Sequence, residues 1–322
     1  MGGMGGMGGM NGGGSMPHSD NNKGNLGGGK TSDLTRKIQK TLKDLGVTSK
    51  DHPLKLWGVY LVFIVITYFV FSGGDFSVLL TVASATRSFA FLTLLISLFI
   101  SSSSSLVSLK TLHLYLCVFA FRLLSIFRHE GYLPYDKTGD WFYHFVEFTA
   151  LGFTAFTAYT VHVTFKSTYE PTHDSFGGGV GGLPSQFGEL VILVPCALLA
   201  ILIHPTLNSD WISDVSWTFS MYLESIAVLP QLYLFQKGKS NITMLTAHFV
   251  VALGLARVFD GIFWMRSFTE LTSSNGGKFP GIVALISQLA HLVMICDFFW
   301  YYARALKEGG TEMVLPTSGS MV

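Results

Sequence analysis

Three apolar stretches of the chain each carry a polar stripe at helical spacing. Arg122, Ser125 and His129 recur at i, i+3 and i+7; Trp217, Met221 and Glu224 share a second face; Arg257, Asp260, Gly261 and Trp264 share a third. An ionised group at the middle of a membrane span costs about 2.5 to 3.5 kcal/mol on insertion scales, so such groups need partners or water. Turned inward together, the stripes would line a cavity with Arg122 and Arg257 set against Glu224 and Asp260. That lining suits an anionic or zwitterionic ligand such as a peptide carboxylate. The competing reading is architectural, with Arg257 paired to Glu224 or Asp260 merely locking helices together. His129 lies at one mouth of the first stripe and belongs to the residue type that changes charge near neutrality, which makes it a candidate pH sensor. His113, His144, His162, His204, His248 and His291 lack paired metal spacing and carry no assigned role. H-E-x-x-H, G-x-S-x-G and P-loop patterns are missing from the sequence, so no enzyme activity, metal or cofactor is expected.

The elements that position these residues follow from composition. Of 322 residues, 49% are hydrophobic and only 13% are charged, about half the charged fraction of an ordinary soluble protein. With a mean hydropathy of +0.45, this excludes disorder or nucleic-acid binding for most of the chain and points to lipid as the solvent. Cys117, Cys196 and Cys296 each sit in an apolar run and read as packing residues.

Eight apolar runs follow Pro53: Leu54 to Phe71, Val78 to Ile100, Leu112 to Phe127, Trp141 to Phe165, Leu190 to Ile203, Val215 to Phe235, Met244 to Met265 and Ile282 to Ala303. Each is a candidate span, the fifth being short and needing flanking residues to complete it. If all eight cross, one side holds fourteen of the 21 Lys and Arg and the other holds Arg128, Lys137, Arg266 and Lys278, which places both termini in the cytosol. Residues 1–31, rich in Gly and Met, read as a disordered cytosolic tail. Residues 32–53 read as a basic amphipathic helix and linker: Leu34, Ile38, Leu42 and Leu45 share one face, Arg36, Lys37, Lys40 and Lys43 lie elsewhere, and Gly46 is a stop signal. This helix either lies on an anionic leaflet or is a solvated linker. The segment from Lys166 to Gly188, with its GGGVGG run, reads as a flexible cytosolic insertion.

Longer motifs carry a resemblance. WTFSMYLESIAVLPQL (Trp217 to Leu232), TAHFVVALGLAR (Thr246 to Arg257), ICDFFWYY (Ile295 to Tyr302), FAFR (Phe119 to Arg122) and FKSTYEPTHDSF (Phe165 to Phe176) closely resemble the ER lumen protein retaining receptors, the KDEL receptor family. The resemblance runs from about Val107 to Leu315. It implies an all-α polytopic membrane protein with a seven-helix transporter-like (SWEET/PQ-loop-like) core, residues 78–303, built from two three-helix bundles around a linking helix. Residues 54–72 form one extra leading transmembrane helix, and residues 304–322 form a cytosolic C-terminal tail. The implied function is retrieval of lumenal proteins bearing KDEL- or HDEL-like C-terminal tetrapeptides from Golgi to ER, with vesicle coat components as cytosolic partners, the bilayer as solvent and no nucleic acid. The alternative is a membrane carrier for a small anionic or zwitterionic solute.

Carried over by position, the resemblance assigns the peptide's terminal carboxylate to Arg122 and packing on the signal to Trp217. Asp214 would meet the first, basic residue of the signal. Glu224 and Arg257 form a paired acid and base beneath, Trp264 and Arg266 complete the ligand site, and Asp297 serves trafficking. The chain also departs from the family. Ser125 stands where an Asp is usual, Ala256 and Asp260 replace two Tyr, Phe263 replaces an Asn, and Arg266 falls one residue before the expected Arg position, Ser267. The first core helix offers Arg87 but no His on the expected face, and the tail after Ala303 keeps only Arg304 and Lys307 as basic residues. The extra leader, altered helix and weakly basic tail are similar to the divergent receptor-related branch found in plants.

Overall fold

The computed structural model describes residues 2, 26–46, 52–71, 76, 78–129, 140–207, 209–238, 241–273, 278–308 and 312–315. Every candidate span coincides with helix: α2 (His52–Phe71), α3 (Val78–Ser101), α4 (Leu109–Arg128), α5 (Asp140–Tyr159), α6 (Leu190–Leu202), the pair α7 (Trp211–Ile226) and α8 (Leu229–Lys237), α9 (Met244–Ser273) and α10 (Phe279–Lys307). The sixth run is split because Pro230 occupies the first turn of α8, where its missing N–H is harmless. Among the described residues, five segments are long and apolar enough to cross a membrane: Val78–Ser101, Leu109–Arg128, Ser185–Leu202, Met244–Phe268 and Phe279–Lys307. The chain is a polytopic, helical membrane protein. Among the described residues, the β structure is confined to a two-residue antiparallel pairing of β1 (Ile242–Thr243) with β2 (Glu312–Met313), which seats Met313 in the core.

Helix contacts run from α3 to α5, α5 to α4, α4 to α7, α7 to α10, α10 to α9 and α9 back to α3, closing a ring of six helices. Small residues permit close approach within it. A Cβ at Gly254 of α9 would come within 2.3 Å of Ile295 and 2.6 Å of Phe299 on α10. Outside the ring, α6 packs on α7, and α2 packs on α3 and α9. The leading helix is held by aromatic contacts: Trp57 meets Phe89 edge-on at 5.3 Å, and the Tyr60 hydroxyl bonds Thr86.

Three expectations change. Helix α1 (Leu26–Asp44) begins six residues before Ser32, inside the segment expected to be disordered, and Gly46, at φ +69°, follows it as anticipated. The rest of the tail, apart from Gly2, and the side chain of Leu34 lie outside the described residues. Cys296 is exposed and not packed, unlike Cys196, which is buried. The segment from Lys166 to Gly188 is not a loose insertion.

Asp174 in that segment is buried and accepts bonds from Ser108 Oγ at 2.8 Å, Leu109 N at 2.9 Å and the Tyr169 hydroxyl at 2.8 Å. It thereby satisfies a donor at the start of α4, beside the Ser108 cap. Lys110 Nζ donates to Phe176 O at 2.7 Å, and a Cβ at Gly188 would meet that same carbonyl at 1.8 Å, so the middle of the segment crosses its end where only glycine fits. The Tyr169 hydroxyl proton is held more tightly than usual by burial and by the adjacent Asp174 carboxylate. Asp174→Ala strands the Leu109 N–H and two hydroxyls. The expected outcome is a loss of about 1 to 3 kcal/mol on thermal unfolding and new protease cleavage between residues 166 and 188. Unchanged cleavage would show the segment is held by other contacts.

Candidate functional site

Each of the six ring helices sends a polar side chain to one point. Arg87 comes from α3, Arg122 from α4, Glu147 from α5, Glu224 from α7, Arg257 and Asp260 from α9, and Gln288 from α10. Glu224 is the hub. Its carboxylate takes Arg87 Nε at 2.6 Å, Arg257 Nη2 at 3.0 Å and Arg122 Nη2 in a close ion pair. Arg87 also reaches Asp260 at 2.5 Å and lies 3.7 Å from Glu147, while Arg122 Nη1 lies 3.4 Å from Glu147. Arg257 completes its contacts by donating to Gln288 Oε1 at 2.9 Å. Three guanidiniums thus face three carboxylates, all essentially excluded from solvent, and the group as a whole is neutral.

A cavity of about 30 Å³ adjoins this centre, with Arg87, Arg122, Arg257 and Asp260 on one side and Leu80, Trp217, Met221 and Trp264 on the other. Such a volume holds about two waters. Trp217 and Trp264 both line it and meet edge-on with ring centroids 5.7 Å apart. Its lining chemistry suits a carboxylate beside apolar groups, but a volume of about 30 Å³ is too small for a peptide without movement.

About two helical turns along α4 from Arg122, at the end of the helix, lies a second polar cluster. Arg128 Nε donates to Asp210 Oδ2 at 2.8 Å, His129 Nε2 lies 3.0 Å from the same oxygen, and Asp210 Oδ1 accepts from Ile212 N to cap α7. Ser125 bonds Ser213 Oγ at 3.0 Å just inside. These contacts latch α4 to α7. Hydrogen bonding from Arg128 lowers the Asp210 carboxyl to about 2. A depressed carboxylate contributes stability above its unfolded value near 3.8 and loses it as pH falls through about 2. Acidification from pH 7.4 to 5.5 therefore leaves Asp210 ionised. In an NMR titration of the Asp210 carboxyl carbon, the expected midpoint lies below 3; a midpoint at or above 4 would mean the latch is not formed.

The candidate residues are distributed unevenly. Arg122 and Arg257 both meet Glu224, Trp217 and Trp264 line the cavity, and Asp214 is buried in the first turn of α7 without lining it. Arg266 does not join them. It is exposed while Ser267 is buried, because one residue rotates a helical side chain by about 100°. Asp297 is exposed on α10, away from the centre. Arg87, Gln288 and above all Glu147 were missed as site residues; Glu147 is the one acid in the run from Trp141 to Phe165, and a lone buried carboxylate in an apolar run was the available signal.

The family model for the ER lumen protein retaining receptor matches residues 103–267, which span α4 to most of α9 and leave Arg87 and Gln288 outside. An ER lumen protein-retaining receptor of Petunia hybrida is 32% identical over 228 residues, covering 70% of this chain and 92% of the relative. Those of Dictyostelium discoideum, 31% identical over 217 residues (65% and 85%), and Drosophila melanogaster, 30% over 222 residues (69% and 91%), are similar in extent. These relatives are receptors by name, which leaves the carrier reading without support. With the matched stretch carrying Arg122, Glu224 and Arg257 at the ring's centre, the chain belongs to the ER lumen protein retaining receptor family.

Proposed function

We propose that this chain is a receptor of the ER and Golgi membranes that binds KDEL- or HDEL-like C-terminal tetrapeptides and returns their bearers to the ER. The observation that carries the reading is Arg122 with two further guanidiniums beneath a tryptophan pair. The planar fork of Arg122 receives the terminal carboxylate. Trp217 and Trp264 part to admit the peptide and then pack on it, Asp214 meets its first, basic residue, and Glu224 with Arg257 forms the floor. His129, between Arg128 and Asp210 with Asp214 one turn deeper, is the proposed pH sensor at the mouth. Exposed Asp297 serves the return journey through coat components.

In this reading α3, α4 and α5 form one three-helix unit, α7, α9 and α10 the other, and α6 the link, with α2 as the extra leading span and both termini cytosolic. The contacts of α5 with α3 and α4, and of α10 with α7 and α9, support this grouping. The test is binding of a fluorescent tetrapeptide at pH 5.5 and 7.4 against its C-terminal amide. Micromolar or tighter binding lost on amidation is expected; no binding at either pH would overturn the reading.

Helix α1 completes the proposal as a clamp on the anionic leaflet. Ile38 and Leu42 pack on the core, and Gln39 Nε2 donates to Phe99 O at 3.0 Å and to Ser102 Oγ at 2.8 Å at the end of α3. Lys55 of α2 reaches the helix C-terminus near Gly46. These ties hold α1 at the level of the membrane surface, with Arg36, Lys37, Lys40 and Lys43 exposed. Hydrogen exchange of residues 33–45 in nanodiscs is expected to slow on adding anionic lipid and to recover in high salt. Equal exchange in neutral and anionic discs would return α1 to a solvated linker.

A further inference from the structure

Glu147 is completely buried, and its Oε1 gathers four contacts: Ser84 Oγ at 2.6 Å, the Tyr143 hydroxyl at 3.1 Å, Arg122 Nη1 at 3.4 Å and Arg87 Nη1 at 3.7 Å. Its Oε2 has no hydrogen-bond partner among the described residues. Two hydroxyls on two helices aim this carboxylate at the guanidinium edge that an incoming carboxylate would use. The other edge of Arg122 is already held by Glu224. Without Glu147 the centre would carry three guanidiniums against two carboxylates, one positive charge in excess, which an anionic ligand would neutralise. With Glu147 the empty site is already neutral. A ligand carboxylate then adds an uncompensated negative charge to a region buried from bulk solvent, a costly arrangement.

We propose that Glu147 is a built-in competitor that occupies Arg122 in place of the ligand's carboxylate and thereby sets the affinity and selectivity of this site. The proposal rests on the reading of Arg122 as the carboxylate receiver. The residue acts by position. Ser84 and Tyr143 hold it, so its partial release from Arg122 is the step that admits an anion. A ligand bringing a basic group beside its carboxylate carries its own compensation and is disfavoured less than a simple acid.

Glu147→Gln tests this with little disturbance, since the amide oxygen still accepts from Ser84 and Tyr143 while the charge is gone. Full-length protein in nanodiscs is titrated with the tetrapeptide Lys-Asp-Glu-Leu, its amide, N-acetyl-leucine and N-acetyl-leucinamide. Glu147→Gln is expected to bind both free acids at least about tenfold tighter than wild type, the low end of measured coupling between close charge pairs, with no gain for the amides. Asp260→Asn makes the same change in net charge but leaves Arg122 covered, because Asp260 contacts Arg87. A smaller gain is expected there. Tyr143→Phe, which loosens Glu147 without removing its charge, gives a second and smaller gain in the same direction and serves if Glu147→Gln fails to fold.

Equal gains in Glu147→Gln and Asp260→Asn would overturn the proposal in favour of net charge alone. Absence of any gain for either free acid would overturn it outright. If N-acetyl-leucine gains while the tetrapeptide binds neither protein, the competitor stands and the tetrapeptide reading falls.

Discussion

Glu224→Ala lowers the stability of the folded protein by about 3 to 5 kcal/mol, the range for removing one partner from a buried ion network. The magnitude follows from its position. Glu224 contacts Arg87, Arg122 and Arg257, so its loss leaves three buried guanidiniums with only Asp260, Glu147 and Gln288 to share among them and one positive charge in excess. Glu224→Gln keeps two acceptor contacts' geometry and loses less, although the charge deficit remains. Thermal unfolding followed by the fluorescence of the six tryptophans, Trp217 and Trp264 among them, measures both variants. A loss below about 1 kcal/mol for Glu224→Ala would place the centre's worth in ligand binding alone.

Arg122→Ala abolishes carboxylate-dependent peptide binding, with an expected cost of about 2 to 5 kcal/mol for a buried charge-assisted contact. Arg122→Lys separates charge from shape. It keeps the cation but replaces a fork that serves two carboxylates at once with a single compact donor, and affinity falls by an intermediate amount. The fluorescent-peptide titration with the amidated control reads both. Free-acid binding that survives in a folded Arg122→Ala protein would remove Arg122 from the carboxylate site. Because Arg122 also supports Glu224, its unfolding temperature is compared with wild type before affinity is interpreted.

What could be read from the sequence was local. Apolar runs gave the helices because every backbone polar group in lipid must be satisfied within its own segment. The pairing of Arg257 with Glu224 was available as one of two options, since Glu224 stood alone as a charge in its apolar run and Arg257 shared its own run only with Asp260. Which carboxylate took which guanidinium was not legible, because it depends on the rotation of six helices about their axes. Asp260 took Arg87 instead of Arg257, and Glu147 entered from a helix that had shown no polar stripe. Arg266 illustrates the same limit in one residue: sequence alone gives adjacency, and the helix phase decides which of Arg266 and Ser267 turns inward. The segment from Lys166 to Gly188 looked loose because glycine signals freedom. Here it permits a close crossing, and Asp174 ties the segment to Ser108 and Leu109, which lie far from it in sequence.

The six-helix origin of the charged centre also bears on how the protein is made. Helices emerge from the ribosome in chain order, and α3, α4 and α5 reach the membrane carrying Arg87, Arg122 and Glu147 before α7 and α9 exist. Two positive charges and one negative are then present, and Glu224, which neutralises the surplus, arrives about a hundred residues after Arg122. Each of those early helices is individually expensive to leave in lipid. Biosynthesis must therefore keep α3, α4 and α5 near the insertion machinery or its attendant chaperones until α7 is delivered, and truncation before Glu224 is expected to yield a fragment that is retained and degraded where one ending after α10 is released.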